Sequence, residues 1–348
     1  MNKCILPIDC VLAVTYRCNS RCTMCDIWKI KDFDEIDLSE FSKLPKTLRD
    51  INLSGGEPFL RTDLPEIVGV IAKNIPSARI VISSNGFATE LIVKQMKKIL
   101  QIKPDIGVAI SIDGLSKMHD EIRGIKGGFV KATNTIKELQ KLGMTNLRLG
   151  FTVSERNVKE LTKVYELSRK LGVQFTHSFA QSSEFYFGGK QNIDFKEVSE
   201  EGLSEGMVLG HETDKPLAKV LKKQYKKLIK TELGGWNLKR FARAYYANAM
   251  LNFILSKNQP LSNAPGRDFF FMDPSGEIYP SVVHNFKMGN IKKIENDFEQ
   301  FWCSYRMEEV REKIDKAKMP VWMICTARTA IKKHPFKVGW WVLKNKFF

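Results

Sequence analysis

Apolar residues recur along the first half of the chain with two alternating periods. Val11, Leu12, Ala13 and Val14 predict a strand over 9–16. Further short apolar runs predict strands over 50–53, 78–83, 106–112, 147–153 and 173–179. Between them the spacing lengthens to that of helices. Leu64, Ile67, Val68 and Ile71 share one face of a helix over 64–74. Helices over 91–100, 129–142 and 158–171 follow, and a shorter one opens at Leu38-Ser39-Glu40-Phe41 with Ser39 as its N-cap. Strand and helix alternate six times, which predicts a parallel sheet with helices outside it. A closed eight-fold barrel needs two more units, and none is found before residue 190. The predicted fold class is α/β: an open, partial (β/α)6 barrel of parallel strands with a smaller α+β extension behind it. Functional groups then belong on the loops after the C-terminal ends of the strands.

The second half is less regular. Helices are predicted over 217–233 and 238–255, the first with a row of Lys222, Lys223, Lys226, Lys227 and Lys230. Residues 269–280 read as a hairpin turning on Pro274-Ser275-Gly276. The expected division is a core over 1–180, a variable helical segment over 181–261, an extension over 262–330 and a tail over 331–348. Ser182 to Gly189 reads as a loop near the barrel mouth and a candidate substrate contact.

Of the 348 residues, 43% are hydrophobic and 27% charged, an ordinary globular balance. No apolar run is long enough for a membrane-spanning helix. Pro7 and Asp9 interrupt the N-terminal stretch, which makes a poor secretory signal. Seven cysteines, clustered near the start, do not resemble a disulfide framework, so a reducing cytoplasm is expected. The net charge of +16 suits an anionic partner, or simply a soluble, lysine-rich surface.

The densest chemistry lies after the first strand. Cys18, Cys22 and Cys25 fall within eight residues, and one loop can turn all three thiolates toward one centre. A structural zinc site or a closed iron–sulfur cluster wants four ligands. Three leave a fourth position open. The alternatives are a partial zinc site or a redox-active thiol group. The C-x3-C-x2-C spacing resembles the signature of the radical S-adenosylmethionine (radical SAM) enzymes. That resemblance implies one [4Fe–4S] cluster on Cys18, Cys22 and Cys25, with SAM on the fourth iron. It implies reductive cleavage of SAM to a deoxyadenosyl radical that abstracts hydrogen from a substrate, and a low-potential electron donor such as ferredoxin or flavodoxin. Met24 departs from the aromatic residue that many members carry there.

Motifs at later strand ends extend the resemblance. Ser54-Gly55-Gly56-Glu57-Pro58 is similar to the family's GGEP segment, which implies contact of Gly55, Gly56, Glu57 and Pro58 with the amino group of SAM. Paired glycines let backbone approach a ligand, and Glu57 can accept from an ammonium; the alternative is a plain Gly-Gly turn. Ser83-Ser84-Asn85-Gly86 is similar to a segment near SAM, which makes Ser83 and Asn85 candidates, or it is an ordinary Asn-Gly turn. Ser111 and Asp113 alternate along a strand end and could bond a ribose, and Arg123 could fork onto the SAM carboxylate. The run from Ser111 to Phe129 resembles peptide-modifying radical SAM enzymes. His119 reads as structural, Asn157 as a helix cap, and Phe175 and His177 as either site lining or core.

Residues 269–280 with Met288-Gly289-Asn290-Ile291 resemble the extension called SPASM or twitch, which normally carries auxiliary-cluster cysteines. Ala264, Ser281 and Val321 stand where cysteines are expected, and only Cys303 and Cys325 remain downstream. The expectation is a SPASM-like fold without its auxiliary cluster, with Cys325 a buried hydrophobe. No acidic residue follows Asp315, and the tail interleaves Lys332, Lys333, Lys337, Lys344 and Lys346 with Phe336, Trp340, Trp341, Phe347 and Phe348. Such a tail suits docking on the barrel, peripheral contact with an anionic membrane or, ranked last, nucleic acid. The expected function is therefore radical SAM chemistry on a peptide or protein. The alternatives are a lipid-linked or phosphorylated small molecule at the membrane surface, a non-catalytic metal-binding scaffold, and a plain electron-transfer protein.

Overall fold

The computed structural model describes residues 4–180, 215–256, 258–295, 297–317 and 320–347. The predicted loop from Ser182 to Gly189 lies outside them. Six strands carry the first half: β1 (Asp9–Thr15), β2 (Asp50–Gly55), β3 (Arg79–Ser84), β4 (Gly107–Ser111), β5 (Leu147–Val153) and β6 (Gln174–Phe179). Each pairs parallel with the next. Their crossovers hold α1 (Leu64–Asn74), α2 (Thr89–Ile102), α3 (Lys117–Arg123), α4 (Gly128–Lys141) and α5 (Leu161–Lys170).

Alternation along each strand decides which face meets the helices. In β5, Leu147, Leu149, Phe151 and Val153 are buried, while Arg148, Gly150 and Thr152 between them are partly open. The buried set joins Leu53, Ile82 and Ile110 from neighbouring strands and Ile67, Ile71, Met96, Ile99, Ile136 and Leu139 from the helices in one core. Each such aliphatic side chain contributes about 1.5–3 kcal/mol by burial.

Several expectations need correction. The helix anticipated over 158–171 begins as a separate 3-10 turn, Val158–Glu160, before α5. The segment Leu38–Lys43 is also a 3-10 turn, and Asp37 rather than Ser39 holds its N-cap position. Beyond these two corrections, the extension is built onto the barrel's own sheet. β7 (Phe269–Met272) pairs parallel with β1 on the edge that β2 leaves free, and β8 (Glu277–Tyr279) and β9 (Gly289–Asn290) continue antiparallel. The result is one nine-stranded sheet, β6-β5-β4-β3-β2-β1-β7-β8-β9. A second apolar cluster of Ala13, Phe269, Phe271, Tyr279, Val321 and Met323 seals this junction.

The remaining helices are α6 (Lys215–Leu233), α7 (Leu238–Ser256), α8 (Phe298–Trp302), α9 (Tyr305–Ala317), α10 (Ile324–Lys333) and α11 (Pro335–Phe347). α10 starts beside the cavity lined by the cysteine loop and runs toward the N-terminal ends of β1 and β2. Its Arg328 reaches Asp9 Oδ2 at 2.6 Å and Asp50 Oδ1 at 2.9 Å, at the starts of β1 and β2. Cys4 and Cys303 are joined in a disulfide across 299 residues, a pairing that the cysteine spacing did not suggest. No helix among the described residues is long and apolar enough to cross a membrane.

Candidate active site

A cavity of about 330 Å³ opens at the C-terminal ends of the barrel strands. Cys18, Cys22 and Cys25 line one side. Apart from Val11 of β1, the cavity-facing strand positions are small or polar: Asn52, Ser54, Ser83, Ala109, Ser111, Gly150, Thr152, Thr176 and Ser178. Met323, Ile324 and Cys325 at the start of α10 form another wall. The space exists because these strands alternate bulky apolar residues toward the helices with small ones toward the lumen.

The cysteine loop is held from two sides. Gly56 N donates to Thr15 O at 2.7 Å and Glu57 N to Arg17 O at 2.8 Å. On the other side Arg21 N donates to Arg123 O and Thr23 N to Ile122 O, at 2.9 and 2.8 Å. The sequence suggested that Gly55 and Gly56 let backbone approach a ligand. They line the cavity, but the approach that demands glycine is to the cysteine loop. A Cβ on Gly55 would stand 2.2 Å from Thr15 O, and one on Gly56 2.3 Å from Arg17 O.

Donors gather on the sulfurs. Ser20 N donates to Cys18 Sγ at 3.4 Å, and Arg123 Nη1 lies 3.7 Å from Cys22 Sγ; Ser20 Oγ lies 3.0 Å from Cys22 Sγ but donates its proton to Arg123 O at 2.9 Å. Burial pushes the Cys18 thiol up to about 11 and the Cys25 thiol up to about 12. Thiolates here therefore require a strongly cationic partner. Among the described residues, no three His, Cys, Asp or Glu groups gather closely enough for a single metal ion. Three thiols around one cavity fit a larger body that offers each sulfur its own iron, as a [4Fe–4S] cluster does.

The other candidates divide. Ser83 lines the cavity and donates to Asn52 Oδ1 at 2.9 Å. Asn85 also lines it, and its Nδ2 donates to Asn19 Oδ1 at 2.7 Å. Ser111 faces the same space.

Glu57 does not offer its carboxylate to the cavity. It is fully buried and accepts from Asn85 N at 2.7 Å, Ser84 Oγ at 2.9 Å and Phe59 N at 3.3 Å. Burial raises it to about 7, partly offset by those donors. It brackets the ends of β2 and β3, and Pro58 is buried at the start of the next turn.

Asp113 is likewise buried and, unlike Ser111, does not line the cavity. It accepts from Thr152 N at 2.7 Å and from Arg123 Nε and Nη2, both at 2.5 Å. Arg123 thus forks onto Asp113 rather than standing free for a carboxylate ligand, although its edge still lines the cavity. Burial raises the Asp113 carboxyl, and Arg123 offsets part of that.

His119 is buried, accepts from Asp113 N at 3.1 Å, and packs edge-on against Phe87 and Phe129. Asn157 makes no side-chain cap bond. It ties two loops by donating to Asp113 O at 3.0 Å and Thr152 O at 2.8 Å. Phe175 belongs to the core; His177 borders the cavity, but its ring packs among Phe175, Tyr225 and Tyr246. Ser281 bonds His284 at 2.7 Å, Cys303 is committed to Cys4, and Cys325 borders the cavity as a free thiol.

Residues 12–167, from β1 into α5, match the sequence model of the radical SAM superfamily. The chain carries a radical SAM domain. The sporulation killing factor maturation protein SkfB of Bacillus subtilis (strain 168) is 31% identical over 211 residues, 58% of this chain and 50% of that protein. The Fe-coproporphyrin III synthase of Methanosarcina barkeri (strain Fusaro / DSM 804) is 33% identical over 162 residues, 44% of this chain and 39% of the synthase. The chain thus spans about half or less of the length of these curated relatives. Among solved structures, native anSMEcpe with bound AdoMet and Kp18Cys peptide superposes with a TM-score of 0.60 at 16% identity, over 97% of this chain and 98% of that one. The fold is therefore the open partial barrel of radical SAM enzymes, and the radical SAM family uses a [4Fe–4S] cluster with SAM. The domain is that of an enzyme class.

Sequence reading missed Asn52, Ser54, Thr152, Thr176 and Ser178 as cavity lining. Their signal was present in the recurrence of small polar residues at every second strand position.

Proposed function

We propose that this radical SAM enzyme modifies a peptide or protein substrate. Cys18, Cys22 and Cys25 would hold the cluster, with Ser20 and Arg123 supplying donors to its sulfur ligands. When bound, the cluster and SAM supply one-electron cleavage and abstraction of a substrate hydrogen atom. The protein's own part is to position and to shield. Asn85, Ser83 and Ser111 offer polar groups along the cavity wall, and the apolar strand faces behind them keep water from the helix side. A low-potential donor such as ferredoxin or flavodoxin is the partner that this reaction requires.

The observation that carries the peptide reading is the reach of the likeness. The match to the synthase covers 162 residues, whereas that to SkfB, named for maturation of a killing factor, runs over 211. The likeness to peptide-bound anSMEcpe takes in 97% of the chain. The test uses a uniformly deuterated cell extract, separated into proteins with their peptides and a small-molecule pool. Each is incubated anaerobically with reconstituted enzyme, SAM and reductant. Deuterium should enter deoxyadenosine from the protein and peptide fraction. Transfer from the small-molecule pool alone overturns the reading.

A further inference from the structure

We propose that the outer face of α11 seats on an anionic lipid bilayer. The tail does dock, but with only one of its faces. Val338 and Val342 are buried, and the Trp341 ring meets that of Tyr245 edge-on at 5.4 Å. On the opposite side Phe336, Trp340, Leu343 and Phe347 are 91%, 72%, 50% and 54% exposed. Their spacing of four, three and four residues puts them in one stripe along a helix about 20 Å long. The stripe continues onto the turn between α6 and α7, where Trp236 is 79% exposed and its ring lies 5.8 Å from that of Phe347. A contiguous apolar strip of this kind marks an interaction surface.

Charge identifies the occupant. Lys337 and Lys344 stand exposed along one flank of the stripe. Lys222, Lys226 and Lys230 of α6 line a groove that also holds Trp341 and Phe347. No acidic residue follows Asp315 in the sequence, so no carboxylate on α11 opposes an anionic surface. A second copy of the chain would bring these lysine flanks toward one another. The stripe also projects outward, which suits insertion into the headgroup region better than capture of an extended peptide. Aromatic rings at headgroup depth beside lysines are what an interfacial helix needs. No helix among the described residues spans a membrane, so the contact is one of lying on the surface. This inference does not depend on the peptide reading.

The test is co-sedimentation of the full chain with phosphatidylserine–phosphatidylcholine vesicles and with phosphatidylcholine vesicles alone. The native chain should pellet with the first, be released by salt, and stay in solution with the second. The triple variant Phe336→Ser, Trp340→Ser, Leu343→Ser, checked for folding by circular dichroism, should lose binding. The pair Lys337→Gln, Lys344→Gln should weaken it by about fivefold for each lysine removed. Variants that pellet like the native chain, or a native chain that never pellets, overturn the proposal. So does a dimer that the triple variant abolishes while vesicles remain unbound, or retention of a single-stranded oligonucleotide in place of vesicles.

Discussion

Arg123 places two nitrogens 2.5 Å from one oxygen of Asp113 and leaves its third 3.7 Å from Cys22 Sγ. The buried carboxylate thereby fixes the guanidinium beside the cysteine loop. Replacing Asp113 with Ala should leave a buried, uncompensated charge and cost about 3–5 kcal/mol. Chemical denaturation of the apoprotein reads this directly. Arg123→Met added to that variant should recover part of the loss. Additive losses would show that the two side chains act independently.

Gly56 meets the backbone of the cysteine loop at a distance no side chain tolerates. Gly56→Ala should therefore push Arg17 and the following cysteines away from the cavity, costing about 1–3 kcal/mol or more. Iron retained after reconstitution should fall sharply, while the far-ultraviolet circular dichroism stays near that of the native chain. Full iron content in the variant would show that the loop does not need this close approach.

Asp9 is buried beneath α10, and one of its oxygens, Oδ1, lacks a hydrogen-bond partner. Burial pushes its carboxyl from the usual 3.8 up to about 7, although Arg328 pulls it down. A folded value above the unfolded one means that the folded state holds the proton more tightly. Its contribution to stability is then complete below about pH 4 and is lost as the pH rises through 7, amounting to a few kcal/mol, roughly. Denaturation midpoints should fall across that window and flatten in Asp9→Asn. An unchanged slope in the variant would mean that another group is responsible.

Local order was legible in the sequence. The spacing of Cys18, Cys22 and Cys25 and the six alternations of period are set within short stretches, and the structure has those strands and helices nearly as read. Distant closures were not. Nothing near Phe269 signals a parallel partner in β1, and nothing near Cys4 points to Cys303. Glu57 and Asp113 mark a subtler limit. A carboxylate beside a strand end looks the same in sequence whether it faces a ligand or satisfies the protein's own amides and guanidinium, and here both turn inward. Arg328 closing the barrel onto Asp9 and Asp50 was equally hidden, because an ion pair across 319 residues leaves no periodic trace.

In the proposed enzyme Cys18, Cys22 and Cys25 hold one four-iron cluster that cleaves SAM. The most direct measurement is anaerobic reconstitution of the native chain beside a Cys18→Ala, Cys22→Ala, Cys25→Ala variant, with iron, sulfide and deoxyadenosine quantified. About four irons per native chain are expected, with both iron and deoxyadenosine lost in the variant. Zinc in place of iron, no SAM cleavage by the native chain, or about eight irons with half surviving in the variant would contradict this assignment.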